Sequence, residues 1–151
     1  MRNSMKKLKC VLAVVGLTIA FGACAAGSAS LEVRQGWVRW LPGGLPAAGY
    51  LTIVNHGDKP VALVKASSPD YGDVMLHRTL SSGGTTRMEA IDRMTVPAHG
   101  QAALSPGNYH LMLMQATRPV APGDQVPVTL QFSDGALLHT QLKVRPANQV
   151  N

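Results

Sequence analysis

The sequence predicts an all-β domain, a sandwich or barrel of short strands, on three grounds. Apolar runs with a two-residue alternation recur at 31–40, 49–55, 61–66, 74–78, 88–92, 101–104, 109–115, 126–132 and 137–144. Gly, Pro and Asn stand between them, residues that break strands and build turns. No stretch holds the 3.6-residue period of an amphipathic helix for long.

Along the chain, the run 31–40 carries Trp37 and Trp40, three apart, which a regular strand sends to opposite faces. One is expected in the core, and the other is free to cover a site or a partner surface. Pro42-Gly43-Gly44-Leu45-Pro46 forms a loop before 49–55. In 74–78, alternation sends Val74 and Leu76 inward and Met75 and His77 outward. The Ser81-Ser82-Gly83-Gly84 turn leads to a segment that starts at Met88. In 109–115, His110, Met112 and Met114 share one face, while Tyr109, Leu111 and Leu113 share the other. Ser133-Asp134-Gly135 is a hairpin turn between the last two runs. A single domain is expected over 27–146, with a short polar tail at 147–151 and no internal repeat.

Residues 1–26 read as a cleaved export signal. Arg2, Lys6, Lys7 and Lys9 make a basic start, 11–21 an apolar stretch too short to span a membrane, and Ala23-Cys24-Ala25 a small-residue cleavage site. The periplasm is the expected destination, as a soluble domain or, by a second reading, as a lipoprotein acylated on Cys24. The chain's two cysteines, Cys10 and Cys24, both fall in this segment, so cleavage after Ala25 or Ala26 leaves no thiol and no disulfide. Four of the fourteen Lys and Arg go with the signal, leaving ten against eight Asp and Glu. That balance is only mildly basic. No basic cluster is interleaved with aromatics, which argues against nucleic-acid binding.

The chemistry-bearing pattern is His77, Met88, His110 and Met112, spaced H-x10-M-x21-H-x-M. A neutral thioether is a poor ligand for hard cations and a good one for soft Cu(I), and imidazole suits copper in either oxidation state. The four residues are therefore a candidate copper site. Methionine is also a common core filler. Against that, His110 and Met112 alternate out of phase with three apolar neighbours, which packing alone does not explain. Met75 and Met114 share the ligand face and serve either as further ligands or as an apolar shield. Met94, His56, His99 and His139 fit no ligand spacing and are read as surface or loop residues.

With these residues in view, the chain resembles the PCuAC family of periplasmic copper chaperones. The likeness runs through Trp37-Val38-Arg39, the segments 49–55 and 109–114, Arg118-Pro119 and Gly123-Asp124-Gln125-Val126-Pro127. It implies a cupredoxin-like Greek-key β-sandwich. It further implies a monomeric carrier, not an enzyme, that binds one Cu(I) at an exposed site through His77, Met88, His110 and Met112 and passes it towards the CuA centre of cytochrome c oxidase. Two positions depart from the family pattern. The tail lacks the His and Met of relatives that take a second copper, and Thr86 stands where a further methionine is often found.

Other functions make different demands. An electron-transfer cupredoxin needs a Cys thiolate, which the mature chain lacks. A copper monooxygenase needs an N-terminal histidine, whereas the first histidine here is His56. A copper-tolerance or storage protein that sequesters the ion remains open, as does a non-metal β-sandwich interaction module.

Overall fold

The computed structural model describes residues 30–149; the signal segment with Cys10 and Cys24 lies outside them. Ten strands follow in order: β1 (Leu31–Trp40), β2 (Ala47–Asn55), β3 (Val61–Ser67), β4 (Tyr71–Ser82), β5 (Thr85–Ala90), β6 (Met94–Val96), β7 (Gly100–Leu104), β8 (Tyr109–Ala116), β9 (Gln125–Phe132) and β10 (Leu137–Pro146). They form one hydrogen-bonded path, β5-β4-β8-β2-β1-β10-β9-β3-β6, with β7 also paired to β2. Strands remote in sequence become neighbours, β8 beside β2 and β10 parallel to β1, in the expected cupredoxin-like Greek-key sandwich.

The path closes over a core centred on Val38, Ile53, Leu63, Leu111, Leu130 and Phe132. Alternation supplies it: Leu111 and Leu113 of β8 are fully buried, and Leu76 of β4 packs with them. Strand β2 is covered on both faces, and Gly49 shows why its sequence is small there. A Cβ at that position would come within 3.1 Å of the Leu113 side chain and 3.3 Å of Leu111 Cβ. The glycine thus lets β8 seat its leucines against β2, which fixes the height of His110 and Met112 on the opposite face.

A bulge in β1 decides where Trp37 points. The β1–β2 register shifts between Arg34 and Trp37, and Gln35 takes a positive φ of 55°. The extra residue reverses the phase of the strand. Before it, Leu31 belongs to the core; after it, Val38 does, and Trp37 turns to the outer face to pack with Ala48 and Tyr50 in a small second cluster. Trp40 packs against the main core, so the two tryptophans do take opposite sides.

The expectation for Met94 is overturned. It opens β6, pairs with Leu63 of β3 and is 4% exposed in the core. A three-residue strand is too short for alternation to announce. Strand β4 is also longer than the run that marked it, and β5 starts at Thr85 rather than at Met88.

Away from the site, Arg118 explains one of the sequence segments singled out above. Its Nε and Nη2 donate to the two carboxylate oxygens of Asp70, at 2.9 and 2.7 Å, and its Nη1 donates to Asp124 at 3.4 Å. This two-pronged clamp holds the 117–124 loop against the β3–β4 turn. Its role is architectural.

Candidate metal centre

The centre is built on the outer face of β4 and β8. In the antiparallel ladder His77 stands opposite His110, and Met75 opposite Met112. Directly opposed side chains in such a ladder have Cβ atoms about 4.5–5.5 Å apart. On the far edge of β4, Met88 of β5 pairs with Thr79, two residues beyond His77 on the same face. The two-residue turn that returns β5 uses Gly83 and Gly84, both at positive φ (58° and 81°), so it needs glycine. The structure therefore brings all four sequence-predicted residues to one face, on three adjacent strands.

Burial is uneven across the four. Met88 is 54% exposed, His77 and Met112 are half-buried, and His110 is only 3% exposed. The burial of His110 departs from the open site expected from the sequence. Its cause is the second cluster: Tyr50 lies with its ring 6.5 Å from that of His110, and Trp37 packs against Tyr50 with ring centroids 4.7 Å apart and planes tilted by 42°. Arg39 sits over the Tyr50 ring at 5.8 Å. Tyr50 and Arg39 wall a pocket of about 310 Å³ that Ala48, Met88, His110 and Met112 also line. His77 stands behind His110, with ring centroids 5.7 Å apart.

The nitrogens of these rings are the decisive feature. Nδ1 and Nε2 of His77 and Nε2 of His110 are buried without a hydrogen-bond partner. Native proteins leave few buried polar atoms unsatisfied, so each one asks for a cause such as an ion. His110 Nδ1 lies 3.3 Å from the Asn108 carbonyl oxygen. The Nδ1–H tautomer donates there and leaves Nε2 with a free lone pair, the arrangement of a metal-binding histidine. Burial lowers the His110 pKa from its ordinary 6.5, against the Asn108 hydrogen bond, and His77 and Arg39 push it the same way as burial. The ring is thus held neutral, as a ligand must be.

Among the described residues, no group of three or more His, Cys, Asp or Glu could hold a metal ion. The further candidate donors on this face are the thioethers of Met88 and Met112. The remaining histidines bond elsewhere: His56 to Glu32 at 3.1 Å, His99 to Asp58 at 2.8 Å and His139 to Thr129 at 2.9 Å. Sequence reasoning missed Tyr50 and Arg39 as walls of the pocket. Tyr50 alternates out of phase with Leu51 and Ile53, a signal that would have placed it outward.

The fold is a cupredoxin-like sandwich, with a candidate soft-donor His/Met centre on its outer face. The chain belongs to the LpqE-like family, described as "Putative lipoprotein LpqE-like", whose model matches residues 31–144. It is 31% identical over 122 residues to "Putative lipoprotein Lxx21020" of Leifsonia xyli subsp. xyli, covering 80% of this chain and 73% of that one. Among solved structures it is similar to the Cu(I) form of DR1885 from Deinococcus radiodurans, at 34% identity and a TM-score of 0.61, covering 82% of this chain and 85% of that one. The copper-bound PCuAC domain from PmoF2 shares the fold at a TM-score of 0.65 and 22% identity, covering 78% and 93% of the two chains.

Proposed function

We propose that this protein is an exported Cu(I) carrier, binding one ion through His77, Met88, His110 and Met112 and delivering it towards the CuA site of cytochrome c oxidase. The observation that carries the binding half is the trio of buried, unpartnered imidazole nitrogens beside two thioethers. A neutral donor set of this kind suits a soft monovalent ion. The 34% identity to a protein solved in its Cu(I) form supports the same ion. On this reading its role is carriage rather than catalysis.

Exposure of Met88 supports delivery over storage, since a ligand at the surface can be displaced by an incoming donor. The test is a transfer assay. Load the mature domain with Cu(I), mix it anaerobically with the apo CuA-bearing domain of an oxidase subunit, and follow the CuA absorption after reoxidation. Stoichiometric transfer is expected. Retention of copper by the carrier would favour the sequestering, copper-tolerance reading.

The family's lipoprotein description bears on location. It supports export and favours acylation of Cys24, a residue outside those described, over release as a soluble domain. Cys24→Ala should move the protein from the membrane fraction to the soluble one.

A further inference from the structure

The four large apolar side chains exposed among the described residues are Leu45, Met75, Met88 and Leu137. Two of the four are methionines, and they flank the His77–His110 pair. Met88 stands one rung above it, opposite Thr79; Met75 stands one rung below it, opposite Met112. A rung on one face is two residues, about 6.8 Å along the strand. The flexible three-bond side chain of methionine spans much of that distance. Met75 is 41% exposed and is not among the residues that line the pocket with Tyr50 and Arg39.

We propose that Met75 is an exchange ligand, which takes hold of the Cu(I) ion beside Met112 as Met88 lets go. The inference rests on the Cu(I) reading above. In the step, one bond from the Met88 sulfur to the ion breaks and one from the Met75 sulfur forms. Both thioethers are neutral, the ion stays Cu(I), and no proton or electron moves. The ion keeps His77, His110 and Met112 throughout, so it never faces water with fewer than three protein donors. Exchange moves it along the β4 face from the Met88 end of the site, which shares the pocket with Tyr50 and Arg39, to the Met75 end outside that pocket. A shield would need only apolar volume, which leucine supplies as well as methionine. The thioether is the atom that separates the two roles.

Met75→Leu therefore tests the sulfur with the volume nearly kept. Wild type, Met75→Leu and Met88→Leu are loaded with Cu(I) without oxygen. Equilibrium competition with bicinchoninate gives affinity, and stopped-flow transfer to the same chelator gives the release rate. For Met75→Leu the affinity should stay within about threefold while release slows about tenfold, the loss of one weak bond from the exchange intermediate. An unchanged release rate overturns the proposal. So does an affinity loss as large as that of Met88→Leu, which would make Met75 a resting ligand. Failure of the wild-type domain to bind one Cu(I), or an unchanged affinity in Met88→Leu, overturns the copper site itself. A second readout is direct. With methyl-labelled methionine and one equivalent of Ag(I), a redox-inert stand-in for Cu(I), the Met75 methyl signal should broaden by exchange while that of core Met94 stays sharp. A sharp, unshifted Met75 signal counts against the exchange.

Discussion

His77 and His110 face each other across the β4–β8 ladder with ring planes inclined at 57° and centroids 5.7 Å apart, and three of their four nitrogens lack a partner. Each unsatisfied buried polar atom costs about 1–3 kcal/mol of folding free energy. In the apo domain these nitrogens find no protein partner, at the place where an ion would supply one.

It follows that His77→Leu should not weaken the apo fold. The substitution removes two unsatisfied nitrogens and adds apolar volume, so stability in denaturant should rise by about 1 kcal/mol or stay level. Copper affinity should collapse in the same variant. A marked loss of apo stability would mean that the ring is a structural part whose partner has escaped notice.

Neighbouring residues of β8 should part company in the same way. Leu111 is fully buried in the main core, and Leu111→Ala should cost about 2–5 kcal/mol through lost burial and the cavity left behind. Met112 is half-buried on the outer face, so Met112→Ala should cost no more than about 1 kcal/mol while weakening Cu(I) binding. Apo melts and Cu(I) titrations of the two variants check the phase of the strand. The reverse ranking of stabilities would refute it.

How much of this could be read in the sequence depends on the range of the interaction. The phase of β8 and the pairing of soft donors were legible because alternation is local: His110, Met112 and Met114 against Leu111 and Leu113. The fate of Trp37 was not, because the bulge at Gln35 leaves no apolar or glycine signal at the residue that takes the positive φ. The burial of His110 depends on Tyr50 and Trp37, which approach it only through the β8–β2–β1 neighbourhood, a non-local pairing. Met94 was misplaced because β6 offers three residues, fewer than a period-two pattern needs to stand out from a loop. The carbonyl of Asn108, which fixes the His110 tautomer, is a backbone atom and carries no side-chain signature.

The buried ring of His110 makes apo stability depend on pH, with a definite sign. Its folded-state pKa is lowered from 6.5, mainly by burial, so the unfolded chain binds a proton more readily than the folded one. Stability is then complete above about pH 6.5 and falls as the pH drops towards the lowered value, where the folded ring also charges. Denaturant melts at pH 7.5 and 5.5 should show this fall in the wild type, and His110→Gln should reduce the difference between the two pH values. Glu32, held at a pKa of about 2 chiefly by Arg34 and His56, does not titrate in this window. If the variant keeps the full wild-type slope, another group causes it.

The proposed donor set also predicts which metal the site prefers. Two imidazoles and two thioethers bring no negative charge, and no carboxylate or thiolate lines the pocket beside His110, Met88 and Met112. A divalent ion placed there keeps its charge uncompensated in a partly buried pocket, with Arg39 on the rim adding repulsion. A monovalent ion faces half that cost. Its softness also matches the sulfur donors, whereas Zn(II) gains little from a thioether. Cu(I) and its analogue Ag(I) should therefore outcompete Zn(II) by orders of magnitude in equilibrium dialysis, and Cu(II) should bind more weakly than Cu(I). Removing one thioether should erode that preference: in Met88→Leu the Cu(I) affinity should fall by about 10–100-fold while the weak Zn(II) affinity, which depends on the imidazoles, barely changes. Zn(II) binding as tight as Cu(I) in the wild type would show that the thioethers do not act as ligands, and the soft-metal argument would fall with them.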